Sequence, residues 1–140
     1  MFRMMTAALL LFAQTAAASA STACAGADPT IVSVAVKGVN SEGGLNRYKL
    51  SGTVVNVGRM AQASNVLQFV DIYEVGGKLD AKGIPPLKPG QSYTFSYVVS
   101  RSRDAGKGTT ELAFQLDVRQ PSPPGSQDCN ADNDRFTLSF

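Results

Sequence analysis

Beyond residue 30 the apolar side chains of the chain recur at every second position, which is the spacing of a β-strand with one buried face. The clearest run is Tyr93–Val99, in which Tyr93, Phe95, Tyr97 and Val99 fall on the same face. No stretch of this region has a convincing helical period. The same alternation, or an enrichment in β-branched residues, predicts further strands over residues 31–36, 48–56, 66–75, 78–83, 111–118 and 136–140.

Residues that favour turns separate these predicted strands. Gly76-Gly77 supplies the positive backbone angles of a hairpin, and Pro89-Gly90 favours a tight turn. Polar loops are expected at residues 40–44 and 119–134. About seven short strands in about 110 residues predict an all-β fold, namely an antiparallel two-sheet Ig-like β-sandwich. On this prediction the aromatic residues that pack in the core include Phe95, Phe114 and Phe136.

The amino-terminal segment, residues 1–20, has the three regions of a secretory signal peptide. Arg3 precedes the apolar run 6–13, and the small residues Ala18-Ser19-Ala20 form a cleavage motif. This run is shorter than the roughly 20 apolar residues that a membrane span needs, so we expect no transmembrane anchor after cleavage. The sequence therefore predicts one exported domain, residues 21–140, in the periplasm or outside the cell.

The two cysteines, Cys24 and Cys129, are the only ones in the chain. An even number of cysteines in an exported protein indicates a disulfide, which here would join the mature amino terminus to the segment before the last strand. An alternative is that Cys24 carries the lipid of a bacterial lipoprotein. The residues before Cys24 are small, but Ser21 stands where such a site usually has Leu, and this favours the disulfide.

Composition and charge narrow the functional classes. The chain has no His, which excludes a Ser-His-Asp triad and His-ligated zinc. The net charge is only +2, and the basic residues form no cluster in the sequence. We therefore expect no nucleic-acid partner. No motif places two carboxylates as an acid/base couple. We therefore expect a protein that is not an enzyme and has no cofactor.

The segment Asp128–Asp134 resembles the opening of a calcium loop, because side chains with oxygen atoms occupy alternate positions. The segment departs from the calcium-loop pattern at two positions. Asn133 stands where the loop has its turn glycine, and Ser139 stands where it has its closing Glu. We expect these side chains to cap backbone turns and to bind no metal. The calcium alternative would use Asp128, Asn130, Asp132 and Asp134.

A second candidate site is a small basic patch for an acidic partner. Arg101, Arg103 and Lys107 are close in sequence, in a predicted loop between two strands. The alternative interpretation is a solvated hairpin tip.

Three sequence elements carry a resemblance to a known family. They are V-x-N-x-G at Val54–Gly58, L-x-P-G at Leu87–Gly90 and the acidic, Asn-containing segment Asp132–Asp134 before the last strand. In this pattern the chain resembles the CARDB family of exported bacterial and archaeal Ig-like modules. The resemblance implies an Ig-like sandwich and a role related to cell adhesion.

Two functional hypotheses follow. The first is a non-enzymatic binding or adhesion module whose loops contact a protein or glycan partner. The second is an accessory or structural protein of the cell envelope that assembles through a sheet edge.

Overall fold

The fold is an all-β sandwich in a computed structural model that describes residues 24–106, 108–121 and 126–140. The predicted signal peptide, residues 1–20, lies outside the described residues. Within these ranges no helix has the length and apolar character needed to cross a membrane. The strands are β1 (Pro29–Glu42), β2 (Leu45–Asn56), β3 (Leu67–Glu74), β4 (Gly77–Ile84), β5 (Ser92–Ser102), β6 (Glu111–Gln120) and β7 (Arg135–Ser139).

The strands form two antiparallel sheets, one with the order β1-β2-β5 and the other with the order β4-β3-β6-β7. The predicted fold class is therefore confirmed. A short 3₁₀ helix, Ala131–Asn133, precedes β7.

The core lies between the two sheets and uses the alternating residues that the sequence indicated. Leu112, Phe114 and Leu116 of β6 are buried. Phe114 packs against Phe95 of β5 with the ring centroids 6.0 Å apart. Gly52 of β2 leaves the space that the Phe95 ring fills, because a Cβ atom at this position would clash with the ring.

Three strands, β1, β2 and β5, extend at least three residues beyond the ranges that the sequence predicts. β1 continues to Glu42, so most of the expected loop 40–44 is strand, and the hairpin turns at Gly43 with φ of 59°. β5 continues through Arg101, which pairs with Asn46. These extensions are held by the hydrogen-bonded ladder of neighbouring strands, which does not require an apolar face at the rim of the sandwich.

The antiparallel order gives the sandwich two distinct ends. The disulfide end holds the start of β1, the end of β2 and the start of β7. The hairpin end holds the β1–β2 turn, the β3–β4 turn and the segment that follows β5. Each end therefore gathers segments that are distant in sequence.

Candidate functional site

The predicted disulfide joins Cys24 to Cys129, with their Cα atoms 6.0 Å apart. This distance is within the range of native disulfides. The Cys129 backbone N–H also donates to the Ala27 carbonyl over 2.8 Å. The bond and its neighbouring hydrogen bond fix the first described residues against the segment before β7.

Asn56 links the two sequence motifs at the same end of the sandwich. Its fully buried side chain accepts at Oδ1 from the backbone N–H groups of Asp28 and Gly58, both over 3.0 Å. Its Nδ2 donates to the carbonyls of Met60 and Leu87, both over 2.9 Å. One amide therefore satisfies four backbone groups in loops that have no strand partner.

Gly58 and Leu87 complete this arrangement. A Cβ atom on Gly58 would lie too close to the Gly26 carbonyl and the Asp28 backbone nitrogen. Leu87 is buried in the core, below the turn at Gly90. The V-x-N-x-G and L-x-P-G motifs thus shape the disulfide end and offer no reactive group.

Four side chains beside the disulfide form what we call the acidic cluster: Asp28, Asp128, Asn133 and Asp134. Asp28 is 3% exposed and Asp134 is 6% exposed. Asn133 Nδ2 donates to Asp28 Oδ1 over 2.9 Å, and its backbone carbonyl accepts from Thr30 Oγ1 over 2.8 Å. The cluster therefore packs the segment before β1 against the segment before β7.

Two carboxyl groups of the acidic cluster, those of Asp128 and Asp134, have raised pKa values. Burial raises the pKa of Asp134 to about 9, with further contributions from its hydrogen bond to Asp128 and from the charges of Asp128, Asp28 and Asp132. Burial also raises the pKa of Asp128. No Lys or Arg in the described part of the chain forms an ion pair with Asp28, Asp128 or Asp134.

The four side chains of the calcium alternative, which we call the linear set, do not come together as their alternate spacing would require. Asp132 is exposed, and its backbone N–H donates to Asn130 Oδ1 over 3.2 Å. Asp128 Oδ1 accepts from the Asn130 backbone N–H over 3.2 Å. Asp134 is hydrogen-bonded to Asp128, and the charge of Asp28, which the linear set lacks, also acts on Asp134. Asp28 was missed because it lies 105 residues from Asn133 and matches no local motif.

The predicted basic patch is not a single loop. Arg101 belongs to β5, and its Nη2 lies 2.6 Å from Glu74 Oε1 of β3. Arg103 is exposed, and its backbone N–H donates to the Gly44 carbonyl over 2.9 Å. Lys107 lies outside the described residues. The alternation of β5 extends to Arg101 and directs its side chain toward the other sheet, where it meets Glu74.

A shallow groove crosses the solvent face of the four-stranded sheet and reaches the β3–β4 hairpin tip. Val75, at the tip, is 98% exposed. The cavity volume is about 180 Å³, and its lining residues are Tyr73, Glu74, Val75, Glu111, Ala113 and Arg135. No local sequence pattern indicates this groove, because its residues come from the end of β3, the turn after it, β6 and β7.

Comparison with known proteins gives information on the fold of the chain. No family model and no curated protein matches the chain. The crystal structure of a CARDB domain from Pyrococcus furiosus, determined in complex with di-metal ions, is similar with a TM-score of 0.54 and 16% identity. The match covers 84% of this chain and 96% of the archaeal domain. The chain therefore has a CARDB-like fold.

Proposed function

We propose that the chain is an exported, non-enzymatic binding or adhesion module that holds a protein or glycan partner in the groove on the solvent face of its four-stranded sheet. The groove is the observation that carries this proposal. It combines the Tyr73 ring with the polar groups of Glu74, Glu111 and Arg135. Aromatic and arginine side chains contribute much of the affinity of binding surfaces, and a few placed polar groups give specificity.

The exposed valine at the hairpin tip supports the same location. Val75 lines the groove while 98% of its surface is open to solvent. Burying this side chain against a partner would be favourable, by about 25 cal/mol for each Å² of apolar surface removed from water. The tip and the groove would then contact the partner as one surface.

The residues of the groove support binding rather than catalysis. The Glu74 carboxylate forms an ion pair with the Arg101 guanidinium, with 2.6 Å between Oε1 and Nη2. The groove lining has no Ser, Thr or Cys nucleophile, and the whole chain has no His to act as a general base. Release of product from an offered glycan or peptide would contradict the non-enzymatic part of the proposal.

Export is supported by the disulfide, because structural disulfides persist in oxidising compartments. A sulfur atom bonded to Cys129 cannot also carry a lipid thioether, which favours a cleaved, unlipidated chain. Intact-mass analysis of the exported protein should give a chain that begins at or near Ser21 with two fewer hydrogens than the thiol form. A diacylglyceryl mass on Cys24 would contradict this.

The binding proposal is tested with labelled mature protein and intact cells. Tyr73→Ser and Arg135→Gln should each weaken cell binding by about tenfold, because each removes a side chain of the groove. Lys49→Gln is the matched control, since Lys49 is exposed on the other sheet. Periodate or protease treatment of the cells identifies a glycan or a protein partner. Equal binding by all three variants would overturn the assignment of the groove.

A second candidate function is assembly through the edge of β5. Among the edge strands of the described residues, β1 has two register shifts, β4 carries Lys78 and Lys82, and β7 has 5 residues. Each of these features discourages edge pairing. β5 has 11 residues in unbroken register with β2. Concentration-dependent oligomers that Val98→Lys abolishes would favour this function over the groove.

A further inference from the structure

Most charged side chains of the four-stranded sheet form ion pairs. The pairs are Asp71 with Lys78 and Arg119, Glu74 with Arg101, Asp80 with Lys82, and Asp117 with Arg119. The exceptions on these strands are Glu111 and Arg135, which form no ion pair with any residue in the described part of the chain. Both exceptions line the groove. The charges without a partner on this sheet are therefore those of the proposed binding surface.

Glu111 and Arg135 lie at opposite ends of the ladder between β6 and β7. Glu111 pairs with Ser139, and Arg135 pairs with Gln115. A strand rises by about 3.3 Å per residue, so the two backbone positions are about 13 Å apart along the strands. The groove lining therefore carries a negative charge and a positive charge that are well separated.

This separation of charge favours one kind of occupant. A uniformly acidic or basic partner would be attracted by one of the two charges and repelled by the other. A second copy of this chain carries the same two charges. Rotation by 180° about an axis between the two copies brings Arg135 of each copy opposite Glu111 of the other. The groove is thus electrostatically complementary to itself.

The hairpin tip beside the groove adds complementarity of shape. Val75 is 98% exposed, so its side chain projects from the patch that also holds the groove. A Cβ atom on Gly76 or on Gly77 would have nothing within 4 Å, so a partner can approach the tip closely. A two-fold interface needs a projection and a hollow on the same patch, because each copy supplies both.

We propose that the partner held in the groove is a second copy of this chain, bound in a two-fold dimer with the two four-stranded sheets face to face. The inference rests on the proposed function, because it names the partner of the same groove. In this dimer Glu111 of each copy pairs with Arg135 of the other, and Val75 of each copy enters the other's groove. An adhesion module that binds its own copies links the surfaces that display it.

Sedimentation of the mature, disulfide-bonded chain tests the association. We expect an equilibrium between monomer and dimer that weakens as NaCl is added, because salt screens exposed ion pairs. Val75→Asp should weaken the dimer by at least about tenfold, because it places a charge in an apolar contact. Val98→Lys, on the exposed face of β5, is the control and should leave the equilibrium unchanged. A chain that stays monomeric up to about 1 mM would overturn the proposal.

Charge reversal tests which residues meet. Glu111→Arg and Arg135→Glu should each weaken self-association by at least about tenfold, because each places like charges opposite one another. An equimolar mixture of these two variants should form a heterodimer close to wild type in affinity, since both ion pairs are then complementary again. Melting temperatures of the single variants in dilute solution show separately that they fold. A mixture that stays monomeric while the wild type dimerises would contradict the two-fold pairing.

Further outcomes separate this inference from the proposed function. If Tyr73→Ser and Arg135→Gln weaken cell binding while the chain remains monomeric, the groove holds another partner and the second-copy inference is wrong. If Val98→Lys abolishes the dimer and the charge reversals do not, assembly uses the edge of β5 and the inference is also wrong. If the groove variants abolish the dimer but leave cell binding unchanged, the dimer is supported and cell binding does not use the groove.

Discussion

At the disulfide end, loops from distant parts of the chain are held by one covalent bond and by buried side chains, whereas at the hairpin end neighbouring strands are joined by short turns. The disulfide spans 105 residues, and Asn56 bonds to Leu87 across 31 residues. By contrast, Ser41 Oγ donates to Asn46 Oδ1 across only 5 residues, over 2.6 Å. The long-range links at the first end are therefore covalent or buried, whereas the second end relies more on short-range turns.

The difference follows from where backbone hydrogen bonds can be made. A two-residue turn leaves the adjoining strands paired almost to the tip, as Glu42 and Leu45 are. The longer segments after β2 and β4 leave backbone groups without ladder partners, and buried amides must satisfy them. Buried side chains of the two sequence motifs therefore hold the loops of the disulfide end, whereas strand pairing holds the hairpin end almost to its tip.

The largest effect is expected from removing the covalent link. Replacing both cysteines, with Cys24→Ser and Cys129→Ser, should lower the free energy of unfolding by about 4 to 5 kcal/mol in the chain-entropy model for a loop of this length. Urea denaturation of the two proteins measures the difference. A reductant should destabilise the wild type by a similar amount and leave the double variant unchanged. An unaltered midpoint in the double variant would contradict the role given to the disulfide.

Asn56→Ala should give the next largest loss, about 3 kcal/mol, because it leaves several buried backbone groups unpaired. Asn46→Ala at the hairpin end is the matched control and should cost about 0.5 kcal/mol, since its hydrogen bond is exposed. Chemical denaturation at one pH compares the two variants. Equal losses would remove the distinction between the ends.

Gly58→Ala tests the close backbone approach at the disulfide end. The added methyl group would meet the Gly26 carbonyl and Asp28 nitrogen, so we expect a loss of about 2 kcal/mol from overpacking. Gly44→Ala is the control, because a Cβ atom there has nothing within 4 Å. Denaturant midpoints that fall equally for both variants would show that the approach at Gly58 does not matter.

The sequence predicted the strands well because one face of each is apolar. Leu112, Phe114 and Leu116 alternate with polar residues and are buried as that pattern requires. The number of cysteines and the predicted export are enough to predict the disulfide, which the structure contains. The V-x-N-x-G motif is visible in the sequence, but the hydrogen bond from Asn56 to the Leu87 carbonyl is seen only in the structure.

The candidate sites were harder to predict because their residues meet only after folding. Asp28 shares no local pattern with Asp134, and nothing in the sequence indicates that both lie at the same end of the sandwich. The sequence predicts a loop at Arg101 because its neighbours at the end of β5 are polar and show no apolar alternation. In both cases strand pairing, rather than residue type, determines which side chains are neighbours.

The smallest effect is expected at the hairpin end, where Arg101 links β5 to Glu74 of β3. Their side chains are 23% and 33% exposed, so solvent screens the attraction. A double-mutant cycle of Arg101→Ala and Glu74→Ala should give a coupling of about 0.5 to 1 kcal/mol. This coupling should shrink in about 1 M NaCl, where charges are screened within roughly 3 Å. The contrasting result would be a coupling as large as the loss from Asn56→Ala that salt does not reduce. The ion pair would then hold the two sheets together, and the hairpin end would be fixed as firmly as the disulfide end.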